Sequence, residues 1–76
     1  MNYEYKTKDF YLACYLKAAG LKLLRVDKKS SIAFFYFRSS PDLKNIITGF
    51  YSSTDKVSAN NLINAIKDLK SLIYNL

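Results

Sequence analysis

The residues that could do chemistry in this sequence are basic and aromatic side chains around a short polar segment. They are Arg25, Lys28, Lys29, Phe34, Tyr36 and Arg38. Aromatic rings interleaved with basic side chains are typical of surfaces that bind single-stranded nucleic acid, because bases stack on the rings while Lys and Arg contact phosphates. A basic hairpin could instead enter the major groove of a duplex. These six residues are therefore candidate nucleic-acid-binding residues, with DNA and RNA both open.

The same candidates also have purely structural interpretations. Phe34 and Tyr36 could belong to the core or to a dimer interface. Lys28 and Lys29 could form a solvated loop tip. Residue types alone do not separate these interpretations from nucleic-acid binding.

Catalysis is not expected from this composition. The chain has no histidine, the usual general base near neutral pH, and its six acidic residues are scattered singly. One cysteine without histidine leaves no zinc site, and two glycines leave no glycine-rich phosphate loop. We expect a protein that is not an enzyme and that uses no metal or small-molecule cofactor. Cys14, among apolar neighbours, is expected to be a buried hydrophobic residue.

The candidate residues lie on a predicted β-hairpin, in which two apolar runs flank a polar break at residues 27–31. Because the break contains no Gly, we predict a four-residue loop at 28–31 and not a two-residue turn. This register places Arg25 and Arg38 on one face together with Phe34 and Tyr36. The residues expected on the other face are Leu24, Val26, Ala33, Phe35 and Phe37.

The second strand of this hairpin is apolar at every position from 32 to 37. A half-buried antiparallel strand normally alternates apolar with polar residues. A chain of 76 residues buries only roughly 60 to 65% of its unfolded surface, so it has little material with which to cover both faces. A helix, a second copy of the protein or a ligand must cover the second face. We therefore expect a homodimer, since a disulfide or a metal is not available.

Helical patterns flank the hairpin. They predict helices at residues 8–19, 41–51 and 59–74, and an alternating segment at 3–6 predicts a short edge strand beside the hairpin or a simple lead-in. The expected N-caps are Thr7, Ser40 and Ser58. The apolar stripe expected on the last helix comprises Leu62, Ile66, Leu69, Ile73 and Leu76, with Ile63 and Leu72 alongside. The predicted fold is α+β: helix, β-hairpin, helix, helix, with helices covering a small antiparallel sheet in a single domain, 1–76.

Charge and hydropathy indicate where the protein works. The formal net charge is +6, and eight of the twelve basic residues but only two of the six acidic ones lie in residues 5–38. No basic segment followed by an apolar run opens the sequence, and no apolar run approaches the ~20 residues that span a bilayer. We expect a cytoplasmic protein without a membrane segment.

A resemblance that covers nearly the whole chain is carried by residues 5–13, Leu16, Gly20, residues 35–37 and residues 64–70. These segments resemble a family of short uncharacterised proteins from tailed phages, prophages and related bacterial elements, a domain of unknown function. It implies a phage or mobile-element origin and a bacterial host cytoplasm. It transfers no functional residue, since the matching positions are mostly capping and core residues.

Two functions are compatible with these observations. The first is nucleic-acid binding through the basic aromatic hairpin. The alternative is a homodimeric protein-interaction module that acts on a host or phage protein. Salt dependence separates them, because phosphate contacts weaken as salt rises whereas burial of Phe and Tyr hardly does.

Overall fold

A computed structural model describes residues 4–52 and 57–76, which form a small antiparallel sheet with helices packed on it. The elements are β1 (Glu4–Thr7), α1 (Phe10–Ala18), β2 (Leu23–Lys29), β3 (Ile32–Arg38), α2 (Leu43–Ser52) and α3 (Ala59–Tyr74). The α+β prediction is confirmed, including the additional N-terminal strand. Tyr3 lies outside the described residues, as do residues 53–56 between the last two predicted helices.

The sheet has the order β1-β3-β2, with both neighbours antiparallel to β3. The central position suits β3, because this strand is apolar at every position from 32 to 37. In the centre of the sheet, a neighbouring strand shelters each of its two edges. The helix α1 contacts both α2 and α3, and it returns the chain from β1 to the hairpin. The hairpin therefore does not stand alone as a two-stranded ribbon.

The hairpin turn differs from the four-residue loop predicted from the sequence. Lys29 pairs with Ile32, so the turn is the two-residue segment Ser30 and Ser31. Ser30 has a φ of 57°, the left-handed conformation that the absence of glycine argued against. The pairing gained by two longer strands offsets this backbone strain. Because the register moves by two residues, β3 and residues 25–27 of β2 keep their side chains on the predicted faces.

A bulge near the start of β2 changes one further assignment. Leu23 pairs with Phe37 and Arg25 pairs with Tyr36, so Leu24 is an extra residue. Leu23 consequently packs against the core, and the predicted position of Leu24 on that face is wrong. After the bulge, side chains of β2 alternate between the two faces again, and Val26 faces the core.

The helix ends show which capping predictions hold. Asp9, not Thr7, caps α1, since its Oδ1 accepts hydrogen bonds from the backbone N–H groups of Tyr11 and Leu12 at 3.1 and 3.2 Å. Thr7 ends β1, and its hydroxyl accepts from the N–H of Asp9. Ser58 caps α3 as predicted, accepting from the N–H of the third residue beyond it. The helix α2 begins at Leu43, two residues later than expected.

The core lies between the sheet and the helices. Its largest fully buried side chains are Phe35, Phe37, Leu12, Leu16, Leu69 and Cys14. The Cα positions extend only 18 Å in the shortest direction, which accommodates one sheet and one helix layer; a second layer would add about 10 Å. The helices therefore lie on one side of the sheet only.

The end of α3 leaves apolar side chains in solvent. Leu72 is 41% exposed and Leu76 is 57% exposed, although both were expected along the stripe of the last helix. In the described part of the chain β2 is an edge strand, so no further strand lies beyond it to cover these leucines. They lie beside the outer edge of β2.

The part of the chain that the structure describes offers neither a metal-binding cluster nor a membrane-spanning helix. Within residues 4–52 and 57–76, no three His, Cys, Asp or Glu side chains are grouped so that they could hold a metal ion. Among the helices so described, none is both long enough and apolar enough to cross a membrane.

Candidate nucleic-acid interface

The face of the sheet opposite the helices is called the open face here. It is made by every second residue of the three strands, in the register that pairs Tyr36 with both Lys6 and Arg25. Its members are Glu4, Lys6, Arg25, Asp27, Lys29, Ile32, Phe34, Tyr36 and Arg38. Of these described residues four are basic and two acidic, so the open face carries a positive net charge.

Five of the six residues singled out from the sequence meet on the open face. Phe34 and Tyr36 lie along the central strand, while the basic candidates on this face are Arg25, Lys29 and Arg38. Lys28 does not join them, because it pairs with Ala33 and therefore shares the opposite side of the sheet. It lies exposed at the hairpin end, close to the turn at Ser30 and Ser31.

The two aromatic rings of the open face are half-buried and lie outside the core. Since both rings are on β3 and two residues apart, they are spaced by about 7 Å. The flanking strands supply cations above them. The Lys6 Nζ is 4.5 Å from the Phe34 ring centre, and the Arg25 guanidinium carbon is 4.0 Å from the Tyr36 ring centre. Basic side chains, not helices, thus cover these rings.

The guanidinium of Arg25 is held in place by an ion pair across the sheet. It donates two hydrogen bonds to the carboxylate of Glu4, each at 3.0 Å, in a bidentate arrangement. The pair spans β3 from one edge strand to the other and passes over Tyr36. The hydrogen bonds from Arg25 lower the pKa of Glu4, and they raise the pKa of Arg25 in turn. Asp27 lies farther off, with Oδ2 3.8 Å from the Arg25 Nε.

The open face has the components needed to bind a single strand. Two rings in a row offer stacking surfaces for two successive bases, and the surrounding Lys and Arg side chains can meet the phosphates. The main-chain spacing of about 7 Å between the rings is comparable with the spacing of nucleotides in an extended strand. Neither feature reads a particular base, so the geometry favours sequence-tolerant binding.

Sequence analysis did not place Glu4 and Lys6 on the open face. The predicted loop at 28–31 set Asp27 opposite Ile32, and the two-residue turn pairs it with Phe34 on the same face. Glu4 and Lys6 alternate with aromatic residues in the N-terminal segment, which was the available signal for a strand. That this strand lies beside β3 depends on long-range pairing, which no local pattern shows.

Comparison with known proteins identifies a family but no function. Residues 2–75 match the family model described as Domain of unknown function (DUF5659). No curated protein matches the chain, and no solved structure does.

Proposed function

We propose a function from the geometry of the open face, because the chain belongs to the family described as Domain of unknown function (DUF5659), which assigns none. The protein binds single-stranded nucleic acid across the open face. Phe34 and Tyr36 stack on two successive bases, and the basic side chains that contact phosphates are Lys6, Arg25, Lys29 and Arg38. Lys28 extends the positive charge beyond the hairpin end.

One observation carries this proposal: the two aromatic residues of the central strand share a face with basic residues from both edge strands. In a purely structural role, Phe34 and Tyr36 would be covered by a helix, yet their neighbours on this face are the charged ends of Lys6 and Arg25. A cation above an aromatic ring is also a group that can swing aside to meet a phosphate. Stacking platforms with flanking positive charge are the usual means of binding single strands.

The topology favours a single strand over a duplex. A two-stranded ribbon fits the major groove of DNA, which is about 12 Å wide. Here β1 lies beside β3, so the aromatic strand is the middle of a three-stranded sheet and not part of a free ribbon. Rings in the middle of a sheet are accessible to splayed bases but not to paired ones.

A binding titration tests the proposal. Fluorescence anisotropy of labelled single-stranded DNA and RNA, titrated at about 50 and 200 mM salt, gives both affinity and salt dependence. With four phosphates contacted, the logarithm of the association constant should fall with the logarithm of salt at a slope of about −3. A duplex of the same sequence should bind more weakly at each salt concentration.

Matched variants separate stacking from general charge. Tyr36→Leu should weaken binding about 5- to 150-fold, since one stacked base contributes roughly 1–3 kcal/mol. Tyr11→Leu is the control, because Tyr11 is a largely exposed tyrosine on α1, away from the open face. It should change affinity by less than about twofold, and circular dichroism should show that both variants are folded. Equal effects of the two substitutions would contradict the stacking role.

The biological setting forms part of the same proposal. We infer a phage or mobile-element origin and a bacterial cytoplasm from the resemblance described above and from the sequence. Single-stranded DNA and RNA are both accessible ligands in that compartment.

A second candidate, a homodimeric interaction module, is favoured by a different observation. An apolar groove of about 280 Å³ lies between the outer edge of β2 and the last turns of α3, and it is lined in part by Leu24, Leu72 and Leu76. Exposed leucines beside an edge strand suit contact with a second copy. Leu72→Lys should then convert a dimer to a monomer in sedimentation velocity, at low and high salt alike. A monomeric wild-type protein at high concentration would exclude this candidate.

A further inference from the structure

The Glu4–Arg25 pair occupies the space in which the proposed ligand would bind. The guanidinium carbon lies 4.0 Å from the Tyr36 ring centre, which is stacking distance. A base cannot take that position on Tyr36 while Arg25 is there. Arg25 is held over Tyr36 from the opposite edge of the sheet, because Glu4 is on β1 and Arg25 is on β2.

The carboxylate of Glu4 resembles a phosphate in the contact that it makes. Its two oxygens accept from the two terminal nitrogens of Arg25 at 3.0 Å each. A phosphate accepts the same pair of parallel hydrogen bonds from an arginine, because both anions match the fork of the guanidinium. Glu4 therefore satisfies the same donors that a phosphodiester would require.

We propose that Glu4 is an internal substitute for phosphate, which holds Arg25 over Tyr36 until a nucleic-acid strand replaces it. In the bound state one phosphate takes the two hydrogen bonds of Arg25, and the uncovered ring of Tyr36 receives the adjacent base. This inference rests on the proposed function and adds to it the position of one phosphate relative to one stacked base.

The pair is strong enough to be populated and weak enough to be exchanged. The side chains of Arg25 and Glu4 are 47% and 40% exposed, so water and salt screen their attraction. The pKa of Glu4 is lowered by these hydrogen bonds, so the carboxylate remains charged at neutral pH. Asp27 lies 3.8 Å from the Nε of Arg25 and leaves the two terminal nitrogens to Glu4.

The test is the affinity of Glu4→Gln for a short single-stranded oligonucleotide at low salt, with Asp27→Asn as the matched control. Each substitution removes one negative charge from the open face, but only Glu4→Gln breaks the bidentate contact. Glu4→Gln should tighten binding about three- to sixfold, the factor expected when an exposed ion pair no longer competes. Asp27→Asn should tighten it by about twofold or less.

The Glu4→Gln substitution in an Arg25→Gln protein shows whether the gain in affinity depends on Arg25. In Arg25→Gln, adding Glu4→Gln should tighten binding no more than Asp27→Asn does in the wild type. If Glu4→Gln gives the same gain in affinity with and without Arg25, or no greater gain than Asp27→Asn, the exchange of Glu4 for a phosphate on Arg25 is refuted. Nucleic-acid binding itself would stand.

A measurement without ligand distinguishes the two possible failures. The Nε–Hε signal of Arg25 in a ¹H–¹⁵N spectrum should be shifted by the Tyr36 ring in the wild type and should move towards the free-arginine position in Glu4→Gln. Absence of that difference overturns the exchange whatever the binding data show. If the difference is present but neither the wild type nor Glu4→Gln binds any oligonucleotide at low salt, the proposed function fails, and the inference fails with it.

Discussion

The two faces of β3 should differ sharply in how much they contribute to stability, and paired substitutions measure this. Phe35 is 1% exposed within the core, whereas its neighbour Phe34 is half-buried beneath Lys6. Phe35→Ala removes a buried ring and leaves a cavity, which costs about 3–5 kcal/mol. Phe34→Ala loses only about half of the burial energy of a phenylalanine together with a surface cation–π contact, about 1.5 kcal/mol.

The overall stability decides how the experiment must be designed. For 76 residues the free energy of unfolding is about 4–11 kcal/mol, so Phe35→Ala alone could unfold the chain. Leucine variants avoid this problem. Phe35→Leu should destabilise by about 1–2 kcal/mol, because leucine refills part of the space, and Phe34→Leu by about 0.5 kcal/mol.

Urea denaturation followed by far-UV circular dichroism measures the difference. With an m-value of about 1 kcal/mol/M, as for other small domains, Phe35→Leu should lower the midpoint by about 1–2 M and Phe34→Leu by about 0.5 M. Unchanged slopes would show that each variant alters stability alone. Equal midpoint shifts, or a larger shift for Phe34→Leu, would refute the assignment of Phe35 to the core and Phe34 to the open face.

Three further predictions concern other features of the fold. Because Ser30 has a φ of 57°, Ser30→Gly should stabilise the protein by about 0.5–1 kcal/mol in thermal melts. Ser31→Gly, at a turn position without positive φ, should destabilise it by a similar amount. Arg25 depresses the pKa of Glu4, so the ionised carboxylate stabilises the folded protein fully above its usual pKa of 4.5. This stabilisation should be lost as the pH falls through the lower pKa of the folded state. The melting temperature of the wild type should show the loss, and that of Glu4→Gln should not. Burial raises the pKa of the Cys14 thiol to about 11. A disulfide reagent at pH 7 should therefore modify Cys14 no faster than the protein unfolds locally or globally. Rapid reaction of the native protein would place the thiol outside the core.

Local pattern was sufficient for the type of the three helices and of the two hairpin strands, and for the face on which each side chain of β3 lies. Alternation along β3 separates Phe34 and Tyr36 from Phe35 and Phe37 whichever even register the hairpin adopts. Capping by Ser58 and the end of α1 before Gly20, which has a φ of 100°, also follow from adjacent residues. These features depend on interactions within a few positions of the chain.

The turn and the bulge needed the whole sheet. Turn statistics disfavour a positive φ at Ser30, and only the pairing gained along both strands makes that conformation favourable. The extra residue Leu24 likewise has no local signature. It follows from the need to face Leu23 and Val26 towards the same core.

What the sequence determined by itself is thus an α+β chain with a basic aromatic hairpin, since composition and periodicity are properties of neighbouring residues. Only the tertiary structure placed β1 beside β3, and with it Glu4 and Lys6 beside the residues of the hairpin. Glu4 and Arg25 are 21 positions apart in sequence, yet they share two hydrogen bonds. Such a contact depends on packing free energy summed over the whole core, and no local pattern encodes that sum.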